Sequence, residues 1–70
     1  PRLLPLHEGR PWFEGHLRLL AGPERIETGW WDGADVSRDY FVAASPAGMQ
    51  LWVYRERRGA RRWFLHGVFG

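Results

Sequence analysis

The sequence predicts an all-β domain, a small antiparallel meander that forms a curled sheet or partly open barrel. Three observations carry this reading. Three runs rich in aromatic and β-branched residues, 39–44, 49–56 and 62–69, follow one another in the second half of the chain. Tight turn sequences separate them. SPAG (45–48) has Pro second and Gly fourth, as a type I turn prefers, and RRGAR (57–61) has the Gly and charge of a solvated hairpin loop. No segment carries a sustained 3.6-residue apolar period, so no helix is predicted.

In chain order, residues 2–6 are apolar but flanked and interrupted by Pro1 and Pro5. Proline cannot donate to a central ladder, so this segment belongs at a sheet edge. Residues 7–11 (HEGRP) form a turn. Residues 12–20 are too short for a good helix and carry Gly15 at their centre, so a strand is expected. Alternation there places Phe13, Gly15, Leu17 and Leu19 on one face and Trp12, Glu14, His16, Arg18 and Leu20 on the other. The next break falls at 21–24 (AGPE), residues 24–31 are short and extended, and residues 35–38 continue as a loop. In the meander, Met49, Leu51 and Val53 make an aliphatic stripe opposite Gln50, Trp52, Tyr54 and Glu56. Trp63, Leu65 and Phe69 share one face of the last strand, with Phe64, His66 and Val68 on the other. Both faces therefore carry large apolar groups, and the sheet is expected to be covered on both sides, by its own N-terminal half or by a partner.

Seventy residues make one small domain, 1–70. Its eleven aromatics, five of them Trp, are the main source of buried area. The absence of an initial Met points to a fragment or processed product, the C-terminal module of a longer protein. No apolar run is long enough for a helical membrane span. All ten basic residues are Arg and the net charge is +2, too small an excess to argue for nucleic acid by electrostatics alone.

Chemistry-bearing patterns are sparse. With no Cys, disulfides and thiolate metal sites are excluded. His7, His16 and His66 have no ligand-like spacing, so no metal site and no cofactor are expected. Ser37 and Ser45 lack the glycines of a nucleophile elbow, and no catalytic residues are assigned. Glu24, Glu27, Asp32, Asp35 and Asp39 fit solvated loop charge, partly paired with Arg25 and Arg38. Two patterns fit binding. Arg55, Arg57, Arg58, Arg61 and Arg62 lie between Trp52 and Trp63, an interleaving that suits single-stranded or primer-template DNA. The adjacent Trp30 and Trp31 point to opposite faces if extended, leaving one in the core and one outward for a partner.

The blocks GPERIETGWWDG (22–33), RDYFV (38–42), LWVYRER (51–57) and WFLHGVFG (63–70) stand in the order in which they resemble the C-terminal end of ImuB-type proteins, Y-family DNA polymerase homologues of the bacterial mutagenic repair cassette. In that family the polymerase-like body lies upstream, is regarded as inactive and carries the sliding-clamp motif. The resemblance therefore implies a non-enzymatic, bacterial and cytoplasmic module of a translesion repair complex. It also implies contacts to a RecA-like ImuA-type partner, to an error-prone replicative-type DNA polymerase, or to both. Trp30, Trp31, Arg38, Tyr40 and Phe69 are the candidate partner-binding residues. The alternative is a small β-barrel that binds DNA through Trp52 and the arginines between it and Trp63.

Overall fold

Alternation along residues 50–56 builds the centre of the molecule. In the computed structural model, which describes residues 1–29 and 36–69, Leu51 and Val53 are fully buried on one side of their strand. Tyr54 is buried on the other side and Trp52 half-buried. The described strands are β1 (Arg2–Leu4), β2 (Leu6–His7), β3 (Arg10–Pro11), β4 (Arg18–Glu27), β5 (Ser37–Ala44), β6 (Gln50–Glu56) and β7 (Trp63–Val68). Five of them form one antiparallel sheet in the order β1-β7-β6-β5-β4, while β2 and β3 make a separate two-stranded ribbon. The chain is thus an all-β meander from β4 to β7. β1 returns as a proline-flanked edge, and the sheet is open, with β1 and β4 at its two margins.

Directly opposed residues in antiparallel strands share a face. Ala43, Leu51, Val53 and Trp63 line one face with Leu4, and Leu17 reaches them from the segment before β4. Phe13, Phe41 and Leu65 pack around this cluster. The N-terminal half covers this side. Its backbone is tied down by Trp12 N–H donating to the Pro5 carbonyl (2.9 Å) and Leu17 N–H to the Pro11 carbonyl (3.1 Å).

The predicted turns hold. Ser45 caps its own turn, accepting Met49 N–H on its hydroxyl at 3.2 Å, and Gly48 N–H donates to the Ser45 carbonyl at 2.9 Å. The second hairpin closes through Glu56 N–H to the Arg62 carbonyl.

Three local expectations are corrected. Residues 12–17 do not form a strand: Trp12 and His16 make only an isolated bridge, and the regular strand begins at Arg18. The physical reason is Gly15, whose φ of 126° folds the chain against Pro46, where a Cβ would come within 2.3 Å of the proline ring. Conversely, AGPE does not end a strand. β4 runs through it by register shifts between Leu19 and Ala21 and between Ala21 and Glu24. Gly22 makes that irregularity feasible, since its φ is 115° and a Cβ would sit 2.6 Å from the Tyr40 carbonyl oxygen. Finally, Ser37 and Arg38 belong to β5 rather than to a loop.

The faces of β7 also differ from simple alternation. Val53 opposes Leu65 while Trp52 opposes Gly67, so His66 is the extra residue of a bulge. Beyond it the alternation is reset, and Val68 lies opposite Leu51 instead of sharing the face of Phe64.

Candidate functional site

The second face of the sheet is aromatic. Tyr40 on β5, Trp52 and Tyr54 on β6, and Phe64 and His66 on β7 form a continuous ring cluster across three strands. Tyr40 lies 4.7 Å from Trp52 and 5.1 Å from Tyr54, and Tyr54 stacks on Phe64 at 5.1 Å. The β7 bulge brings His66 edge-on to Trp52 at 4.5 Å and to Tyr40 at 5.4 Å. Such tilted and edge-to-face contacts suit the ring quadrupoles.

Polar groups pin the cluster. Arg38 lies 4.3 Å over the Tyr54 ring and its Nη1 donates to the Tyr40 hydroxyl at 3.1 Å. A guanidinium only donates, so the Tyr40 O–H is left to donate to His66 Nδ1, 3.2 Å away, when that imidazole is neutral. The proton of His66 then sits on Nε2. Burial pushes the Tyr54 phenol above its ordinary pKa, with the Arg38 charge opposing the shift. At the margin, Arg62 lies 5.3 Å from the Phe64 ring and grips Glu56 in a fork, Nε to Oε1 at 2.9 Å and Nη2 to Oε2 at 3.2 Å. The hydrogen bonds from Arg62 hold the Glu56 carboxyl below its ordinary pKa.

The arginines of the last hairpin do not form one strip. Trp52 and Arg62 flank the aromatic face, whereas Arg55 lies 5.8 Å from the Trp63 ring, over the opposite face, and donates from Nε to the Arg61 carbonyl at 3.2 Å. Arg57 is drawn inward: it donates to the buried Ser37 hydroxyl at 2.9 Å and approaches Glu27 at 3.7 Å and Asp39 at 3.8 Å. Asp39 also takes Arg25 at 3.3 Å. Arg58 and Arg61 are exposed on the loop, where Arg61, its last residue, takes a φ of 54°.

Of the candidate partner-binding residues, Arg38 and Tyr40 therefore sit together at the heart of the ring cluster. Phe69 is 49% exposed beyond the end of β7, where its N–H donates to the Gln50 carbonyl. Trp30 and Trp31, and the expectation that they split between core and surface, lie outside the described residues. Sequence reasoning passed over Tyr54, Phe64 and His66 as parts of the cluster. Alternation placed Tyr54 beside Trp52, but the bulge that re-aims His66 has no sequence signature beyond Gly67.

The surface that results is a ring-lined sheet face with one guanidinium strapped across it, in which Trp52 and Phe64 are half-buried and His66 exposed. It is suited to holding a ligand by stacking and by hydrogen bonds. Among the described residues no group of three or more His, Cys, Asp or Glu converges to hold a metal ion. No described helix is long and apolar enough to cross a membrane.

No family model matches the chain, and no solved structure matches it. The chain is similar to Protein ImuB from two strains of Caulobacter vibrioides, NA1000 / CB15N and ATCC 19089 / CIP 103742 / CB 15. Each is 32% identical over 66 residues, a match that covers 77% of this chain and 14% of the relative. The chain thus corresponds to about one-seventh of the length of these relatives. The similarity supports an ImuB-like relationship.

Proposed function

We propose that this chain is a non-enzymatic protein-interaction module of an ImuB-like protein acting in DNA-damage tolerance, and that its aromatic sheet face is where a protein partner docks. One observation carries the reading: the Tyr40–Trp52–Tyr54–His66 cluster, bridged by Arg38, reaches solvent through half-buried Trp52 and exposed His66. Rigid aromatic rings beside an arginine are the residue types that dominate protein-binding hot spots. The alternative, docking of single-stranded DNA through Trp52, Arg55, Arg57, Arg58, Arg61 and Arg62, draws less support. Arg57 and Arg62 are engaged by carboxylates, and Arg55 lies over the opposite face.

The partners proposed are the RecA-like ImuA-type protein and the error-prone replicative-type polymerase. Titration of the chain with each, repeated with Trp52→Ala and Arg38→Ala, tests the proposal. Each substitution is expected to weaken binding by roughly 2 kcal/mol, the size of an aromatic or arginine hot spot. Unchanged affinity for both partners in both variants overturns the docking face. A labelled single-stranded oligonucleotide serves as the second arm: binding that falls steeply with salt transfers the function to the nucleic-acid reading.

A further inference from the structure

On the opposite side of the sheet, the β2–β3 ribbon does not lie flat on its neighbours. A groove of about 380 Å³ opens between it, the start of β4 and the β6–β7 pair. Its floor is apolar: Pro11 and Leu17 are buried, as is Trp63, and Leu6 and Leu19 stand exposed at its rims. Its charge has one sign. Arg10, Arg18 and Arg55 line it, and among the described residues no carboxylate does. Among the described residues the guanidinium groups of Arg10 and Arg18 have no ion pair or hydrogen bond, and Arg55 spends one donor on the Arg61 carbonyl. The nearby acids are turned elsewhere. Glu8 faces His16 at 3.6 Å, and Asp39, opposite Arg55 in register, is held by Arg25 and Arg57.

We propose that this groove is a second docking site and that it takes an acidic peptide segment carrying an aliphatic anchor. Three arginines with spare donors complement carboxylates, in fork geometry where the peptide presents them side by side. The apolar floor and the exposed Leu6 and Leu19 accept an aliphatic side chain and lose water as it enters. A nucleic-acid strand fits less well. Bases need an open ring face for stacking, and among the described residues the one aromatic ring in the groove, Trp63, is only 9% exposed and has the Arg55 guanidinium beside it. The site lies on the face opposite the aromatic cluster, so it does not depend on that cluster docking a partner.

Fluorescence anisotropy tests the assignment. The probe is a labelled peptide of sequence Asp-Asp-Leu-Leu-Asp-Asp, compared with Asp-Asp-Ser-Ser-Asp-Asp and with a labelled oligothymidine of 20 nucleotides. The leucine peptide is expected to bind at micromolar concentrations and to lose about tenfold in affinity with Arg10→Ala and with Arg18→Ala, the scale of one lost hydrogen bond between charged groups. Both residues are exposed, so thermal unfolding should stay unchanged. Leu19→Ser should weaken the leucine peptide and leave the serine peptide unaffected. Equal binding of the two peptides overturns the proposal, as does affinity that survives both arginine substitutions. Oligothymidine binding that is stronger than the leucine peptide's and lost with Arg18→Ala overturns it in favour of a phosphate backbone.

Discussion

At the scale of single residues, the two faces of β6 hold different things, an aliphatic core on one side and the ring cluster on the other. Leu51 is fully buried in the centre of the core, and truncation leaves a cavity that neighbouring strands cannot close. Leu51→Ala is expected to cost roughly 2–5 kcal/mol, measured by urea denaturation, a large share of what a domain of this size has to lose. Tyr40 is buried as well, but its hydroxyl serves the opposite face by accepting from Arg38 and contacting His66. Tyr40→Phe keeps the ring and removes that oxygen. The expected loss is about 1–2 kcal/mol of stability, the effect of leaving its partners short of a hydrogen bond. The nitrogen chemical shifts of His66 should also move, because Nδ1 loses the donor that sets its tautomer.

At the scale of elements, β4 shows how a strand passes through a sequence that reads as a break. The register shifts at 19–24 are accommodated by Gly22, whose Cα lies against the Tyr40 and Phe41 backbone. Gly22→Ala meets both obstacles, a positive φ and a backbone carbonyl 2.6 Å from the new Cβ. A destabilisation of about 1–3 kcal/mol is expected, set beside Gly67→Ala, where a Cβ meets nothing within 4 Å and little change should follow. Denaturation of both variants under one condition checks the contrast. Equal losses would mean that the irregularity in β4 does not depend on the glycine.

At the scale of the whole molecule, pH acts from two sides. The folded pKa of Glu56 is held down by hydrogen bonds from Arg62, so the pair contributes stability at neutral pH and loses it as pH falls through and below the ordinary carboxylate range. The folded pKa of Tyr54 is raised, chiefly by burial, so its contribution is intact below pH 10 and fades as pH climbs above that value. Melting temperatures across pH should therefore decline at both ends. Glu56→Gln should flatten the acid limb and Tyr54→Phe the alkaline one. Because Glu56 is solvent-accessible, its effect should shrink at high salt. Far-UV circular dichroism of the native chain should show strand and turn with no helical signature.

The amino-acid sequence by itself determined the strand-rich class, the three meander strands, both hairpin turns and the edge position of the proline-flanked N-terminus. All of these rest on period-two patterning and turn chemistry within a few residues. It also placed Arg38 and Tyr40 among the candidates, through the RDYFV block. Only the tertiary structure decided the rest. Gly15 and Gly22 exchanged roles, one breaking a predicted strand and the other carrying a strand through a predicted break, because each meets a distant partner, Pro46 or the Tyr40–Phe41 backbone. The bulge at His66 depends on the register between β6 and β7 and set which rings share a face. Ion pairing of Arg57 and Arg62, against Arg10 and Arg18, which have no ion pair among the described residues, depends on which carboxylates the folded chain brings within reach. Local patterns are written in neighbouring residues, whereas charge pairing and face assignment are set by strands far apart in the chain.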